Sequence, residues 1–367
     1  MKKKRVVVAM SGGVDSSVAA ALLLEQEYDV VGVTMNLFSL PKKYCRDENV
    51  KSCCGWGAAE DAHQVALTLG IPHYVIDMRK EFEKKVIADF CAEYNLGRTP
   101  NPCIRCNEFI KFDDLLERSI KTMDADYLST GHHVRVEYDK KKNRYLLKKG
   151  MDRDKDQSYF LYTLTQDQLA RTLMPVGHFT KKDIRKKAEE LNLPAAQRPE
   201  SQEICFVPDN NYPHFLRKQI PQAFRPGPII DNEGKTLGQH EGTPHFTIGQ
   251  RKGMGIAAAH SLYVVAIDTQ ANTIVAGPDK MLYEDEFTAS QLNFISVPGL
   301  NESLTLKAKI RYKHPEAEAQ LFPITSDSVR VVFKTPQRAI TPGQAVVFYD
   351  SETVVGGGII DSRGIRS

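Results

Sequence analysis

The chain has 367 residues, a formal net charge of +3, and 41% hydrophobic and 26% charged residues. This composition is ordinary for a globular protein, and the length predicts two or three domains. No stretch approaches the ~20 apolar residues of a membrane span, and the apolar run in the N-terminal MKKKRVVVAMSGG is too short for a signal peptide. The seven cysteines are an odd and unevenly spaced set, which argues against a secreted disulfide framework. We therefore expect a cytoplasmic protein that does not associate with membranes, in which a weak positive charge permits an anionic partner.

The first half of the chain alternates predicted strands and helices. Strands are predicted at KRVVVAM, VVGVTMNLF, PHYVIDM and ADYLSTGHH. Helices are predicted at SSVAAALLLEQE, AAEDAHQVALTLG, KEFEKKVIADFCAEYNLG and NEFIKFDDLLERSIKTM, the last with Asn107 as its N-cap. PKKYCRDENVKSCCGWG has no clean period and is predicted to be a loop, and two prolines argue against a helix in RTPNPCIRC. The alternation predicts an open, mostly parallel α/β sheet in a domain spanning residues 1–208.

The second half of the chain changes character. VRVEYDKKKNRYLLKKG predicts a hairpin with a basic turn, and helices follow near residues 165–192. Prolines and glycines then become frequent, which predicts a small, β-rich central domain at 209–278. Short strands such as LTLKAKIRY and SVRVVFK dominate the remainder, which predicts a C-terminal β-barrel at 279–367.

The stretch MSGGVDSSVA lies between the first strand and the first helix. Its paired glycines expose backbone N–H groups beside a helix N-terminus, which is typical of a phosphate site. The hydroxyls of Ser11, Ser16 and Ser17 would add donors. The loop has neither the G-K-[ST] of a Walker site nor the G-x-G-x-x-G of a dinucleotide site. Asp15 predicts Mg²⁺, because a carboxylate beside a phosphate needs a bridging cation; the alternative is a tight turn in which this residue caps the helix.

Two cysteine segments, TPNPCIRCNEFIKF and ESQEICFVPDNNY, carry candidate sulfur chemistry. Cys106 lies just ahead of the predicted helix start, where the helix dipole favours a thiolate, and Cys205 lies in a polar loop. If the two meet, one can carry a persulfide that the other attacks. A single cysteine in the cytosol is more often an inert buried residue, which is the interpretation for Cys91. Roles for Cys45, Cys53 and Cys54 stay open, with metal binding as one option.

The SGGVDSS loop resembles the pyrophosphate (PP) loop of the N-type ATP pyrophosphatases, which have the adenine nucleotide α-hydrolase-like fold. Both cysteine segments resemble those of the bacterial tRNA-specific 2-thiouridylases, and so, in order, do KDQSYFLY, FTIGQRKGMGI, RYKHP and TPGQAVVFY. The resemblance implies ATP-dependent adenylation of the C2 oxygen of wobble uridine 34 in tRNAs for Lys, Glu and Gln. Sulfur then replaces that oxygen, giving 2-thiouridine, AMP and pyrophosphate. A sulfur donor protein, either a cysteine desulfurase or a relay protein, is implied as a partner.

The resemblance also implies roles for particular residues. Cys106 matches the nucleophile of the family and Cys205 its persulfide carrier. Ten residues would bind ATP: Ala9, Met10, Ser11, Gly12, Gly13, Val14, Asp15, Ser16, Met35 and Gly131. Three would face the target base: Asn101, Pro102 and Cys103. Seven would contact tRNA: His132, Lys155, Asp156, Gln157, Arg311, Tyr312 and Gln344.

One position departs from the family pattern, because many members have Asp where this chain has Cys103. The resulting C-x-x-C leaves two alternatives open. Cys103 is a spare thiol beside a persulfide pair, or Cys103, Cys106 and Cys205 ligate a [4Fe–4S] cluster that carries the sulfur. One extra cysteine favours the persulfide route. Two other function classes are less favoured: another adenylating ligase of the PP-loop family, and an RNA-binding module that retains the ATP fold without activity.

Overall fold

A computed structural model describes residues 2–39, 56–196, 204–207 and 209–363. The predicted loop that carries Cys45, Cys53 and Cys54 lies outside these residues. The chain divides into two compact units. The first contains Met1–Ile87, Pro102–Asn210 and Glu352–Val354, and the second contains Ala88–Asn101, Asn211–Ser351 and Val355–Ser367.

The first unit is built on a five-stranded parallel sheet in the order β3-β2-β1-β4-β7, which confirms the predicted α/β fold. The strands of the first unit are β1 Arg5–Ala9, β2 Asp29–Asn36, β3 His73–Asp77, β4 Tyr127–Ser129, β5 Val134–Asp139, β6 Arg144–Lys149 and β7 Thr172–Leu173. Strands β5 and β6 pair with each other as a hairpin and are not part of the five-stranded sheet. The sequence analysis missed β7, because a strand of two residues has no measurable period.

The helices of both units, in chain order, are α1 Val14–Glu25, α2 Trp56–Leu69, α3 Arg79–Phe82, α4 Ala88–Asn95, α5 Pro102–Arg105, α6 Leu116–Met123, α7 Gln166–Ala170, α8 Lys181–Glu190 and α9 Tyr212–Gln219. Two π-helical segments, Glu83–Ile87 and Cys106–Leu115, connect α3 to α4 and α5 to α6 without a break. Among the described helices, none has both the length and the apolar character that crossing a bilayer requires.

The core of the first unit explains why its strands read as continuous apolar runs. Val6, Val7 and Val8 of β1 are fully buried, as expected for a strand covered by helices on both faces. The small side chains of Ala19 and Ala20 on α1 are also fully buried and let that helix approach the sheet closely.

The helix predicted to begin at Asn107 begins instead at Pro102. Proline is favoured at the first helical position, because its missing N–H needs no partner there and its φ is already helical. Asn107 is therefore not an N-cap; its side chain is buried and donates to the Phe160 carbonyl oxygen at 3.1 Å. Cys106 consequently lies one turn inside the helix rather than ahead of it.

The second unit holds the two predicted β modules. Its strands are β8 Gly227–Ile230, β9 Thr236–His240, β10 Tyr263–Asp268, β11 Thr273–Gly277, β12 Tyr283–Phe294, β13 Leu304–Lys309, β14 Ala317–Thr325, β15 Ser328–Arg338, β16 Ala345–Asp350 and β17 Thr353–Arg363, whose first two residues belong to the first unit. The order β10-β11-β8-β9 forms a small sheet, and β12-β15-β14-β13-β16-β17 closes into a six-stranded barrel through β12 and β17. Each has its own apolar core.

The turn before α8 provides a test of packing in the first unit. A Cβ on Gly177 would lie 1.7 Å from the Val134 carbonyl oxygen of β5. We expect Gly177→Ala to lower the free energy of unfolding by about 1–3 kcal/mol, because backbone must move. Gly57→Ala is the control, since no atom lies within 4 Å of its Cβ; it should shift stability by at most about 1 kcal/mol. Equal denaturation midpoints for the two variants would contradict this packing.

Candidate active site

The glycine loop connects β1 to α1 and is held by its own serines. Gly12 has a φ of +68°, and Gly13 precedes the first turn of α1 with extended backbone. The hydroxyls of Ser16 and Ser17 donate to the Gly13 carbonyl oxygen at 3.1 and 2.9 Å. The sequence analysis assigned these hydroxyls to an anion, but in the structure they hold the loop backbone, because both side chains are buried and need local partners. What the loop offers a phosphate is backbone N–H and the positive end of α1.

Gly131, just beyond β4, packs directly against this loop. A Cβ there would lie 2.5 Å from the Ser16 backbone nitrogen and 2.7 Å from the Asp15 carbonyl carbon, so only glycine fits. Met35 is buried on β2, and the hydroxyl of the preceding Thr34 donates to the Met10 carbonyl oxygen at 2.8 Å. The ends of β2 and β4 therefore both support the loop.

Asp15, in the first turn of α1, forms an ion pair with Lys181 at the start of α8. The Lys181 Nζ lies 2.6 and 2.7 Å from the two carboxylate oxygens, and only 9% of this lysine is exposed. His133 Nε2 lies 3.1 Å from the same carboxylate. Burial alone would raise the pKa of Asp15, but the His133 hydrogen bond and the Lys181 charge outweigh it and lower that pKa. The carboxylate is thus held ionised beside the loop.

Asp15 does not fit the predicted magnesium role. Its oxygens are engaged by Lys181 and His133, and the described residues contain no cluster of three or more His, Cys, Asp or Glu placed to hold a metal. A cation does balance the carboxylate, as the sequence analysis required, but it is a lysine. The sequence analysis missed Lys181 and His133. The GHH that follows the fourth strand is a signal for His133, since the carboxyl ends of parallel strands share one edge of a sheet.

The two candidate sulfur-bearing residues lie in the first unit. Cys106 is buried and begins the π-helical segment Cys106–Leu115, and Cys205 is half-buried in a turn; neither is in a disulfide. The next residue, Phe206, contacts the buried ring of Phe82 edge-on at 5.6 Å between centroids. The helical run 79–87 that carries Phe82 also packs along the Cys106 helix, for example through a 2.8 Å ion pair between Lys85 and Asp114. Both cysteine segments therefore pack on the same helical run.

Cys103, Cys106 and Cys205 are not grouped as the ligands of a [4Fe–4S] cluster would be. Cys103 is exposed on the first turn of its helix, whereas Cys106 is buried. Together with Cys205 they form no three-ligand group within the described parts of the chain.

The tRNA-contacting residues predicted in the first unit are mostly turned inward. His132 is 9% exposed, its Nδ1 lies 2.7 Å from the Thr130 hydroxyl, and burial holds its pKa well below the usual range. Asp156 is 7% exposed and accepts from the backbone N–H groups of Gly150 and Ser158. The side-chain carbonyl of Gln157 accepts from the His133 N–H, and Lys155 lies in the same half-buried loop.

The remaining predicted tRNA residues lie in the second unit. Arg311 donates to the Arg338 and Ala339 carbonyl oxygens at 3.2 and 3.3 Å, and the ring of the adjacent Tyr312 lies 5.6 Å from Lys309 Nζ. Asn101 and Gln344 belong to this unit as well, whereas Pro102 and Cys103 belong to the first.

Comparison with known proteins gives matches along almost the whole chain. Three family models match: the tRNA methyl transferase HUP domain at residues 4–209, the tRNA methyl transferase PRC-barrel domain at 213–278, and the aminomethyltransferase β-barrel domain at 284–360. The tRNA-specific 2-thiouridylase MnmA of Acetivibrio thermocellus is 52% identical over 98% of this chain and 100% of that protein. The chain belongs to the tRNA-specific 2-thiouridylase family.

Two further 2-thiouridylases are nearly as similar. MnmA 1 of Caldanaerobacter subterraneus subsp. tengcongensis is 51% identical over 98% of each chain. MnmA of Halothermothrix orenii is 49% identical over 97% of this chain and 98% of its own length.

In this 2-thiouridylase family member, Lys181→Met tests the ion pair beside the loop. Because the wild-type pKa of Asp15 is lowered, its ionisation stabilises the fold above the unfolded pKa of about 4, and that stability is lost as pH falls through the folded pKa. Without Lys181 the pKa rises, so acid destabilisation should begin at a higher pH. At pH 7 we expect a loss of about 2–3 kcal/mol, less than for a fully buried pair.

The neighbouring Lys182 is exposed, so Lys182→Met removes the same charge as a control. Urea denaturation from pH 3 to 8 measures both variants. If both variants lose stability over the same range of low pH, Lys181 does not stabilise the ionised carboxylate of Asp15.

Proposed function

We propose that the protein is an ATP-dependent tRNA-uridine 2-sulfurtransferase that converts the wobble uridine 34 of tRNAs for Lys, Glu and Gln to 2-thiouridine. The observation that carries this proposal is the full-length match to 2-thiouridylases. Two features of the first unit support it: a glycine loop shaped for an anion, and two cysteine segments that pack on one helical run.

The glycine loop would act in the adenylation step. The uracil C2 oxygen attacks the α-phosphorus of ATP, the bond to the β-phosphate oxygen breaks, and pyrophosphate leaves. Charge develops on that leaving group, and the backbone N–H groups at Gly12 and Gly13 and the N-terminus of α1 stabilise it. Because Lys181 neutralises Asp15, the loop does not repel the phosphates. Mg²⁺ would be bound by the triphosphate, and Asp15 would stay in its ion pair.

The cysteines would act in the sulfur step. A donor protein, either a desulfurase or a relay protein, loads Cys205 as a persulfide. The Cys106 thiolate attacks the Cys205 sulfur, the S–S bond of the persulfide breaks, hydrosulfide leaves, and a disulfide joins the two cysteines. Hydrosulfide attacks C2, and AMP leaves with the former oxygen. Two cellular thiol groups then reduce the disulfide by two electrons and are themselves oxidised to a disulfide.

We further propose a division of roles among three domains, 1–208, 209–278 and 279–367. The first would activate the base and deliver sulfur, and the other two would hold tRNA. Uridine 34 lies in a single-stranded anticodon loop, where a base can be splayed into a protein pocket. A tRNA substrate and reactive thiols both suit the cytoplasm that the sequence analysis predicts.

The decisive assay is ATP-dependent formation of 2-thiouridine on tRNA, with a desulfurase and cysteine as the sulfur source. Cys205→Ser and Cys106→Ser should abolish the thiolated product, and Cys205→Ser should still release pyrophosphate when tRNA is added. Cys91→Ser is the control and should retain activity, because burial raises the pKa of Cys91 to about 11 and keeps it a thiol. Full thiolation by Cys205→Ser would disprove the proposed sulfur route.

Cys103→Ser separates the persulfide route from the cluster alternative. With the persulfide route, this variant should keep most of its thiolation activity, and anaerobically purified protein should contain no stoichiometric iron. Iron content and visible absorbance measure the difference. Stoichiometric iron that disappears in Cys103→Ser together with activity would instead support the cluster.

A further inference from the structure

Residues 98–101, which we call the strap, connect α4 to the cysteine-bearing helix and end at Asn101, the proposed base-facing residue. The strap and α4 belong to the second unit. The segments FTIGQRKGMGI and TPGQAVVFY, which carry part of the family resemblance, lie in this unit. Each contains one four-residue turn of the form T-x-G-Q, at residues 247–250 and 341–344, and the glycine of each turn has a φ of +87°.

Both turns contact Thr99 in the middle of the strap. The Thr99 N–H donates to the Pro342 carbonyl oxygen at 2.8 Å, and the Gln344 Nε2 donates to the Thr99 carbonyl oxygen at 2.7 Å. The turn at 341–344 thus satisfies both backbone groups of this residue. From the other turn, the Thr247 hydroxyl lies 3.4 Å from the Thr99 hydroxyl.

Each turn is itself anchored. Gly343 donates to the Ile360 carbonyl oxygen, and the Ile360 N–H donates to the Gln344 carbonyl oxygen, both at 2.9 Å on strand β17. In the other turn, the Thr247 N–H donates to the side-chain oxygen of Gln250 at 3.0 Å. The strap is therefore bound by one backbone carbonyl and by two side chains that belong to hydrogen-bonded turns.

Arg98, the residue before Thr99, is held in place by ion pairs. The Arg98 Nε lies 2.7 Å from Glu93 of α4, and its guanidinium lies 3.6 Å from Asp361 of β17. Arg98 and Glu93 are only 21% and 19% exposed, so solvent screens the pair less than a surface pair. A Cβ on Gly343 would lie 2.9 Å from the Thr99 nitrogen and 3.0 Å from both the Arg98 Cβ and a Glu93 oxygen, so a larger residue would displace the strap.

We propose that the two T-x-G-Q turns are a clamp that positions the strap, and that Gln344 acts in thiolation by holding Thr99. This inference rests on the proposed function and on the base-facing role that the family resemblance implies for Asn101. The clamp places that residue before tRNA arrives, so the base meets a preorganised contact. Gln344 and Gly343 are positioning residues.

Gly343→Ala tests the clamp, with Gly234→Ala as a matched control. Gly234 has a nearly identical φ of +85°, but no atom lies within 4 Å of its Cβ. Both variants place alanine at a positive φ and share that backbone strain. Only Gly343→Ala also brings a Cβ into close contact with the strap. We expect Gly343→Ala to speed hydrogen exchange at the Thr99 amide and to lower kcat for thiolation about 10- to 100-fold, with the Kd for tRNA unchanged. Gly234→Ala should match wild type in exchange and kcat.

Gln344→Glu provides a second variant that keeps the size of the side chain but removes the amide donor. Its control is Gln239→Glu on β9, which adds the same charge at an exposed position. Faster hydrogen exchange at Thr99 together with the same loss of kcat supports the clamp. A Kd for tRNA that rises in step with the loss of activity in Gly343→Ala, or exchange at Thr99 that stays at the wild-type rate in either variant, overturns it.

Asn101→Ala separates this inference from the proposed function. Full thiolation by that variant would contradict the proposed base contact, while hydrogen exchange in Gly343→Ala would still report on the clamp. If Asn101→Ala is impaired and both clamp variants behave like their controls, the clamp alone is wrong.

Discussion

The ion pair between Asp15 and Lys181 is the constraint around which the first unit is arranged. An anion-binding loop gains from a carboxylate in the first turn of the following helix, because the helix dipole favours it there, but the same carboxylate repels a phosphate. Lys181 resolves the conflict only if α8 lies against α1. The backbone N–H of Lys181 in turn donates to Asp152 at 2.9 Å, and Thr180 caps the helix through a capping box. The need to neutralise Asp15 therefore places α8 against α1, although α8 lies more than 150 residues further along the chain than the loop.

The fold was largely predictable because its elements have strong local signals. Val6, Val7 and Val8 form an apolar run that only a strand covered on both faces explains, and the barrel strands have regular short spacing. The secondary-structure predictions that were wrong or missed also have identifiable causes. Pro102 was taken to exclude a helix, although proline at the first position favours one. β7 pairs with β4 through only two residues, so tertiary contacts rather than its own sequence make it a strand.

The sequence indicates which residue types a candidate site contains but not the direction of their side chains. The glycine loop and the cysteine segments are candidates because of their chemistry. Ser16 and Asp156 were expected to face ligands, yet both are buried and bond to nearby backbone groups. A sequence shows which groups can donate and accept; burial decides which of them must be satisfied within the protein. Lys181 was missed for a related reason, since nothing nearby in the chain distinguishes it from the exposed Lys182.

One of the points at which the chain passes between the two units is the peptide bond that joins Asn101 to Pro102, two residues that the family resemblance implies face the same base. Their Cα atoms are ~3.8 Å apart whatever else the units do. On one side Thr99 is bound through both backbone groups. On the other, the helix begins at once with Pro102, whose ring fixes φ, and Cys106 follows one turn later. The backbone on each side of this bond is therefore held by contacts within its own unit.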